Sequence, residues 1–575
     1  MDEARKNLSK SAFENLQKWL SEPKFLKFRE EIFGMIDNRN WQELEDAFFK
    51  VLEFGTAGRR GKVGAGSNRI NEITIGESVQ ALADYLKMEL GEEKLSVAIA
   101  WDVRNSSENL ARFSAEVLAK NDIKVYFFDG FRSTPELSFA VRELGANAGI
   151  VISASHNPPE DNGIKIYWND GAQISSPHDK NLMKIAQNIS NIERVDFKTA
   201  LNSGKIEIIG AVLDEKYLLA NVKNSVSSAR DIKIVFSPIH GTGTTNLLLT
   251  LRRAGFGEIS IVKEQFAADG NFSSLKNRKP NPENFTANEM AISQLRREKA
   301  DVALTTDPDA DRICVISREK NGSIRIFSGN ETAILVADFL LAKSVERDDF
   351  SKIFIAKSFV TTDALNALAK KYGAKIYDDF LVGFKFIGRK IREKQEFGEI
   401  FLAGFEESLG GLVGSQARDK DAATIGLAIC ELASELKLQG KTLGEKLEEI
   451  YTEIGFFVEK TDSLEFSGKL GFEKMREIMR DLRDGKIEVG ASVMNDFLNL
   501  KRKNLETGEI SKIEIMEDGD ALSFEFGRKE RRISIRPSGT EPKMKIYAQW
   551  LFEKAEDRAE IERILQEFKE KILWA

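Results

Sequence analysis

Gly149-Ile150-Val151-Ile152-Ser153-Ala154-Ser155-His156-Asn157-Pro158-Pro159 is the stretch on which the fold is read. Its first four residues form a short apolar run of the kind found in buried strands. The remainder is a polar, turn-forming segment, and Pro158 and Pro159 stop any helix there. Open α/β sheets present their functional groups in this way, on sharp turns at the carboxyl ends of buried strands. The pattern therefore predicts Ser155 on an exposed, stiff turn suited to a hydroxyl nucleophile; a proline-rich loop with a capping serine is the plainer alternative.

The same rhythm extends in both directions. Val97-Ala98-Ile99-Ala100 and Val125-Tyr126-Phe127-Phe128 precede this segment, and Ile232 to Phe236, Asp301 to Leu304, Ile353 to Ala356 and Ile400 to Ala403 follow it. Short strands alternating with helical stretches imply mostly parallel, buried sheets. Three similar α/β units are expected in series, each with its own polar loop: Ser153 to Pro159, Asp307 to Arg312 and Gly404 to Gly411. Residues 1–50 carry Phe13, Leu16 and Leu20 at helical spacing, the mark of an amphipathic helical extension. After about residue 457 the pattern becomes alternating strands around Ile533 and Ile535, a Pro/Ser/Gly/Thr loop, and a strand from Met544 to Tyr547. A last helix places Ile561, Ile564, Leu565, Phe568 and Ile572 on one face. The expected organisation is a helical extension (1–50), three α/β domains (51–210, 211–325 and 326–456) and a C-terminal α+β domain (457–575). Length agrees, since 575 residues at ~150 per domain make roughly four.

Composition excludes more than it selects. With 42% hydrophobic and 30% charged residues there is apolar material for several cores, too much for a disordered polymer. Lys and Arg total 84 against 91 Asp and Glu, a net charge of -7 without the basic excess of a nucleic-acid binder, so small ligands are the better expectation. Two cysteines, Cys314 and Cys430, build no disulfide framework and suit a reducing compartment. His156, His178 and His240 are too scattered for a histidine-rich metal centre, so any metal should have oxygen ligands. The polar start, Met1 to Lys6, lacks the apolar core of a signal peptide, and no apolar run reaches the length of a membrane span. A cytoplasmic protein without membrane contact is expected.

Each loop carries its own chemistry. Ser155 has His156 beside it and Lys165 nearby in Asn162-Gly163-Ile164-Lys165, either of which could activate the hydroxyl. In Asp307-Pro308-Asp309-Ala310-Asp311-Arg312 the carboxylates recur at every second residue. On a straight strand they would lie ~6.6 Å apart, so a bend is needed to bring them together, and Pro308 helps supply it. Curled, three anionic oxygens suit a Mg²⁺-like cation, whereas an acidic solvated loop is the alternative. The glycine and glutamate of an EF-hand loop are missing. Gly404-Phe405-Glu406-Glu407-Ser408-Leu409-Gly410-Gly411 offers two carboxylates and a hydroxyl for recognising a polyol. Arg536-Pro537-Ser538-Gly539-Thr540-Glu541-Pro542-Lys543 reads as a phosphate cradle or an ordinary β-turn. Phe54-Gly55-Thr56-Ala57-Gly58-Arg59-Arg60-Gly61 offers a further anion contact without the ending of a P-loop. A phosphorylated Ser155 at about -2, three aspartates and one Mg²⁺ would leave an excess of roughly -3, which Arg60, Lys165 and Arg312 could cancel. That balance suits phosphoryl transfer.

With these segments in order, the chain closely resembles the α-D-phosphohexomutase superfamily, the phosphoglucomutase/phosphomannomutase enzymes, from about residue 50 to the C-terminus. Val382-Gly383-Phe384-Lys385-Phe386-Ile387-Gly388 and the long N-terminus look most like the long bacterial phosphoglucomutase branch and its relatives acting on phosphopentoses. The resemblance implies a heart-shaped, four-domain architecture around a cleft, three related α/β domains plus a C-terminal α+β domain. By that match Ser155 is the phosphoserine, and Asp307, Asp309 and Asp311, with the Ser155 group, are the Mg²⁺ ligands. Arg60, Lys165 and Arg312 match residues around the transferred group, with Lys165 an acid/base participant, and His156 stays a catalytic candidate through its place beside Ser155. Glu406 and Ser408 match the sugar loop; Arg536, Ser538, Gly539, Thr540 and Lys543 match the distal phosphate loop, and Lys385 a second contact. The implied reaction interconverts glucose 1-phosphate and glucose 6-phosphate through glucose 1,6-bisphosphate. Phosphomannomutase and phosphopentomutase are the alternatives within the family; a Mg²⁺-dependent phosphatase and a non-catalytic sugar-phosphate binder lie outside it. Partners would be sugar phosphates, and the protein a monomer or weak homodimer.

Overall fold

The computed structural model describes every residue except 53–57, 92–93, 467, 539–542 and 574–575. Among the described residues, four β-sheets follow one another along the chain. The first contains β1 (Arg59–Lys62), β2 (Ser96–Trp101), β3 (Lys124–Phe128), β4 (Ala148–Ile152), β5 (Asp161–Trp168) and β6 (Ile206–Ile209) in the order β1-β5-β4-β2-β3-β6. The second contains β7 (Ile234–Ser237), β8 (Ile259–Ile261), β9 (Val302–Thr306), β10 (Ile313–Arg318) and β11 (Ile324–Phe327) in the order β11-β10-β9-β7-β8. The third contains β12 (Ile353–Lys357), β13 (Lys375–Tyr377), β14 (Ile400–Glu406) and β15 (Gly410–Val413) in the order β13-β12-β14-β15. The inner strands β2, β4, β7, β9, β12 and β14 are almost wholly buried, whereas the edge strands β1, β6, β8, β11 and β13 are partly exposed.

The first three sheets are mixed, with parallel pairings in the majority in the first and third and equal to antiparallel ones in the second. The strand before each polar loop has parallel neighbours, but the strand after it returns antiparallel: β4 to β5, β9 to β10 and β14 to β15. Loop length is the cause. Only residues 153–160, 307–312 and 407–409 separate these pairs, whereas a parallel return needs a crossover of about a dozen residues or more. Each polar loop is therefore the tip of a hairpin.

Residues 1–50 form a group of short helices, Asp2–Asn7, Lys10–Ser21, Arg29–Asp37 and Trp41–Phe48. They enclose a small core of their own, with Trp19 stacked on Phe25 at 4.2 Å, and close against Ala65 and Ile73 of the first domain. The C-terminal domain is β-rich: β16 (Phe456–Glu465), β17 (Val493–Asp496), β18 (Lys501–Asn504), β19 (Ile510–Lys512), β20 (Leu522–Phe526), β21 (Arg528–Pro537) and β22 (Lys543–Phe552), antiparallel in the order β16-β22-β21-β20-β17-β18-β19. Helix Glu560–Leu573 lays Ile561, Leu565, Phe568 and Ile572 on this sheet, with Ile564 at the margin. A buried polar joint fastens it to the third domain: Arg532 grips the Asp363 carboxylate and the Phe359 carbonyl, and Lys357 Nζ donates to Asp363 Oδ1 at 2.9 Å. No helix among the described residues is long and apolar enough to cross a membrane.

Candidate active site

Ser155 sits at the tip of the β4–β5 hairpin in the left-handed region, φ 51°. It is not exposed as the sequence pattern suggested: only 1% of its surface is accessible. The β9–β10 tip lies on top of it, and Ser155 Oγ donates to Asp307 Oδ2 at 2.6 Å. Burial by a loop from the second domain could not be read from the first domain's own residues. His156 Nδ1 lies 3.3 Å from the same Oγ. Burial, with the Arg312 and Arg60 cations nearby, pushes the imidazole well below its ordinary value and keeps it neutral.

The bend expected in the aspartate loop is present. Ala310 N donates to Asp307 O at 3.0 Å, and Ala310 takes φ 52°. One oxygen each of Asp307, Asp309 and Asp311 then lies within 4.8 Å of the others, all three side chains buried. Lys165 Nζ, projecting from β5, meets Asp309 Oδ2 at 2.6 Å and Asp311 Oδ2 at 3.1 Å. Burial and the neighbouring carboxylates push Asp307 well above its ordinary range; in Asp309 the burial penalty is outweighed by Lys165, which holds it below. Asp309 Oδ1 and Asp311 Oδ1 are buried with no hydrogen-bond partner among the described residues. Orphaned carboxylate oxygens converging in a buried site are the donor set a hard divalent cation takes.

Other elements close around this cluster. Arg60 stands on β1, paired with Gly163 of β5, and its buried Nε also lacks a partner among the described residues. Gly58 permits the approach, because a Cβ there would collide with the Ile164 carbonyl. Arg312 donates its backbone N–H to Asp307 Oδ1 at 3.1 Å and places its guanidinium between Glu283 (3.7 Å) and Asp311 (3.8 Å). Glu406 ends β14 and Ser408 occupies the β14–β15 turn. This turn is stitched to the aspartate loop by an Arg312–Gly410 bridge and by Ile313 N donating to Leu409 O at 3.0 Å.

A second group lies where the third and C-terminal domains meet. A cavity of about 410 Å³ is lined by Lys385, Arg536 and Ser538 together with Glu517, Asp518 and Asp520. Arg536 Nε donates to Tyr547 Oη at 3.1 Å, and Lys385 Nζ donates to Asp179 Oδ2 of the first domain at 3.2 Å.

Family models described as phosphoglucomutase/phosphomannomutase alpha/beta/alpha domains I, II and III match residues 51–193, 215–321 and 328–454. A phosphoglucomutase of Staphylococcus aureus (strain MRSA252) is 34% identical over 512 residues, 88% of this chain and 90% of that protein. The chain belongs to the phosphoglucomutase/phosphomannomutase family. As a phosphohexomutase it is a phosphotransferase of the isomerase class. Solved structures share its fold. Parafusin, a phosphoglucomutase of Paramecium in an open form, aligns with TM-score 0.65 at 19% identity, covering 91% of this chain and 95% of that one. An N-acetylphosphoglucosamine mutase of Aspergillus fumigatus, in complex with GlcNAc-6P and magnesium, aligns with TM-score 0.50 at 13% identity, covering 98% and 99%.

In this phosphohexomutase the structure gathers Ser155, His156, Lys165, Arg60, Asp307, Asp309, Asp311, Arg312 and Glu406 at one end, and Lys385, Arg536 and Ser538 at the other. Lys543 joins neither: its ammonium pairs with Glu465 of β16 at 3.1 Å. Phe54 to Ala57, Gly539 and Thr540 lie outside the described residues. Three contributors were missed. Lys420 Nζ lies within 3.5 Å of Asp311, Glu406 and Asp419, in a charged run, Arg418 to Asp421, that follows a buried strand and could have been noticed. Thr134 Oγ1 donates to Asp309 Oδ2 at 2.7 Å from the start of a first-domain helix, and nothing local in the sequence marks it. Lys545, two residues beyond Lys543, is the lysine whose charge acts on Glu407 and Arg312.

Proposed function

We propose that the protein is a phosphoglucomutase that interconverts glucose 1-phosphate and glucose 6-phosphate through a phosphoserine at Ser155 and a glucose 1,6-bisphosphate intermediate. The observation that carries this reading is the contact of Ser155 Oγ with Asp307 inside a buried cluster where Lys165 faces Asp309 and Asp311. The S. aureus relative, itself a phosphoglucomutase, supports glucose as the sugar.

Asp307, Asp309 and Asp311, with the phosphate on Ser155, would hold Mg²⁺, as the donor set and the magnesium-bound A. fumigatus mutase suggest. That ion supplies Lewis-acid stabilisation of the transferring phosphoryl group. The protein's own residues do the rest. Lys165, Arg60, Arg312 and Lys420 balance the negative charge that a phosphoserine adds to three carboxylates. Neutral His156 meets the Ser155 oxygen at Nδ1. In the forward step the bond between phosphorus and Ser155 Oγ breaks as the sugar hydroxyl oxygen bonds to phosphorus, and the hydroxyl proton ends on Ser155 Oγ. The bisphosphate turns over, and its other phosphoryl group returns to Ser155 by the reverse step. Glu406 and Ser408 would hold sugar hydroxyls, while Lys385, Arg536 and Ser538 grip the phosphate at the far end. The buried thiols Cys314 and Cys430 accord with a cytoplasmic location.

Incubation with glucose 1-phosphate and a trace of glucose 1,6-bisphosphate tests this directly. Glucose 6-phosphate is the expected product. Inorganic phosphate without it would favour a phosphatase, and a faster rate on the 1-phosphate of mannose, glucosamine or ribose would move the enzyme elsewhere in its family.

A further inference from the structure

Ser155 keeps a strained, left-handed backbone conformation that a non-glycine residue holds only where its surroundings over-determine it. Arg104 is the group that does so. It follows β2 within the first domain, is 3% exposed, and spends all four terminal N–H bonds on carbonyl oxygens of the serine hairpin. NH2 donates to Ser155 O at 2.6 Å and Asn157 O at 2.5 Å; NH1 donates to Pro158 O at 2.6 Å and Asp161 O at 2.9 Å. The other side of the Ser155 peptide is tied as well: Ser155 N donates to Ser153 Oγ, which donates to Asp102 Oδ2 at 2.7 Å, itself 3.2 Å from Arg104 Nε. Both backbone polar groups of Ser155 thus lead back to one buried Asp–Arg pair.

A strap from the second domain seals that pair. The Phe272 ring, itself at φ 49° and fully buried, lies 5.3 Å from the Arg104 guanidinium and packs with Ile239, Leu275, Ala287 and Val103. Asn105 Nδ2 donates to Asn271 Oδ1 at 3.0 Å, and a Cβ on Gly270 would come within 2.6 Å of Asn105. His240 anchors the strap at both ends of its own ring, at Ala267 O (2.8 Å) and Ser274 Oγ (2.7 Å).

We propose that Arg104 is a positioning residue for phosphoryl transfer, holding the Ser155 backbone so that Oγ faces Asp307, and that the Phe272 strap keeps its hydrogen bonds dry. The proposal rests on Ser155 being the phosphoryl carrier. Arg104→Lys keeps the charge but loses the planar fork that reaches four carbonyls. A misplacement near 1 Å at a reacting atom costs about 100-fold in rate, so kcat should fall about 100-fold with KM for glucose 1-phosphate nearly unchanged and the melting curve still cooperative. Phe272→Leu should show a smaller fall of the same kind, and it carries the test alone if Arg104→Lys does not fold. An unchanged kcat in either folded variant, or a loss that follows only the folded fraction, would overturn the proposal. Intact mass of the wild-type enzyme after exposure to glucose 1,6-bisphosphate keeps the two readings apart. A missing phosphate on Ser155 defeats the carrier assignment, while a phosphorylated Ser155 with unimpaired Arg104→Lys defeats this inference.

Discussion

Around Ser155 most charged groups are held by a partner from another domain: Asp307 by the serine, Asp309 and Asp311 by Lys165, and Asp311 also by Lys420, which meets Glu406 within its own domain. Around Arg536 the cavity stays open, its guanidinium bonded at Nε to Tyr547 of its own sheet and its wall mixing cations with Glu517, Asp518 and Asp520. Transferring a phosphoryl group requires atoms placed to a fraction of an ångström. Gripping either end of a sugar bisphosphate requires room. Under the proposed function, the contrast fits fixed chemistry among the first three domains and adaptable binding where the third meets the fourth, which is mounted on the Asp363–Arg532 joint.

The sharpest break comes from Ser155→Ala, which should lower turnover by about 10⁴-fold or more while the protein stays folded. Near-normal rates in that variant would remove the serine from the chemistry. Chelation with EDTA should likewise abolish activity, with Mg²⁺ restoring it and the circular dichroism spectrum unmoved throughout; activity that persists in the chelator would separate the three aspartates from catalysis. At the joint, Arg532→Met removes one of the two cations on the buried Asp363 carboxylate and leaves Lys357, so a loss of about 1–3 kcal/mol in unfolding free energy is expected. A denaturant titration that shifts little would show the fourth domain to be held elsewhere. At the open end, Arg536→Lys forfeits part of a charge-assisted contact to phosphate, and kcat/KM should fall about 10- to 100-fold, mostly through KM. A change confined to kcat would place Arg536 with the reacting atoms instead.

The smallest effect depends on pH. Glu459 of β16, half-buried at the same joint with its Oε1 shielded from solvent, is pushed up to about 7 by desolvation, partly offset by a hydrogen bond from Thr362. A raised carboxyl binds its proton more tightly in the folded state, so its ionisation destabilises the fold progressively as pH rises from about 4.3, the unfolded value, toward 7. Glu459→Gln should therefore gain in melting temperature over the wild type across that window and hold the gain above it. A difference that is flat with pH would mean that Glu459 ionises normally.

How much of this was legible in the sequence follows from the same contrast. Consecutive residues showed themselves: Ser153 to Pro159 and Asp307 to Arg312 each compress their chemistry into one turn, and the bend demanded by alternating aspartates is the bend observed. Groups that arrive from a distance did not. Thr134 looks like any helix-starting threonine, and Lys545 is told from Lys543 only by where β22 runs once paired with β16 and β21. The parallel sheets inferred from strand–helix alternation missed the antiparallel returns because periodicity reports burial and is silent on direction. Burial of Ser155 belongs to two domains at once, so neither segment alone could disclose it.

Placing each reactive loop at a hairpin tip separates what a domain needs in order to fold from what it needs in order to act. The ladder hydrogen bonds of β4–β5, β9–β10 and β14–β15 lie in the strands on either side of the tips. Three α/β scaffolds can thus differ at one short position each, presenting a hydroxyl, a carboxylate triad and a turn that carries Ser408, without redesigning any sheet.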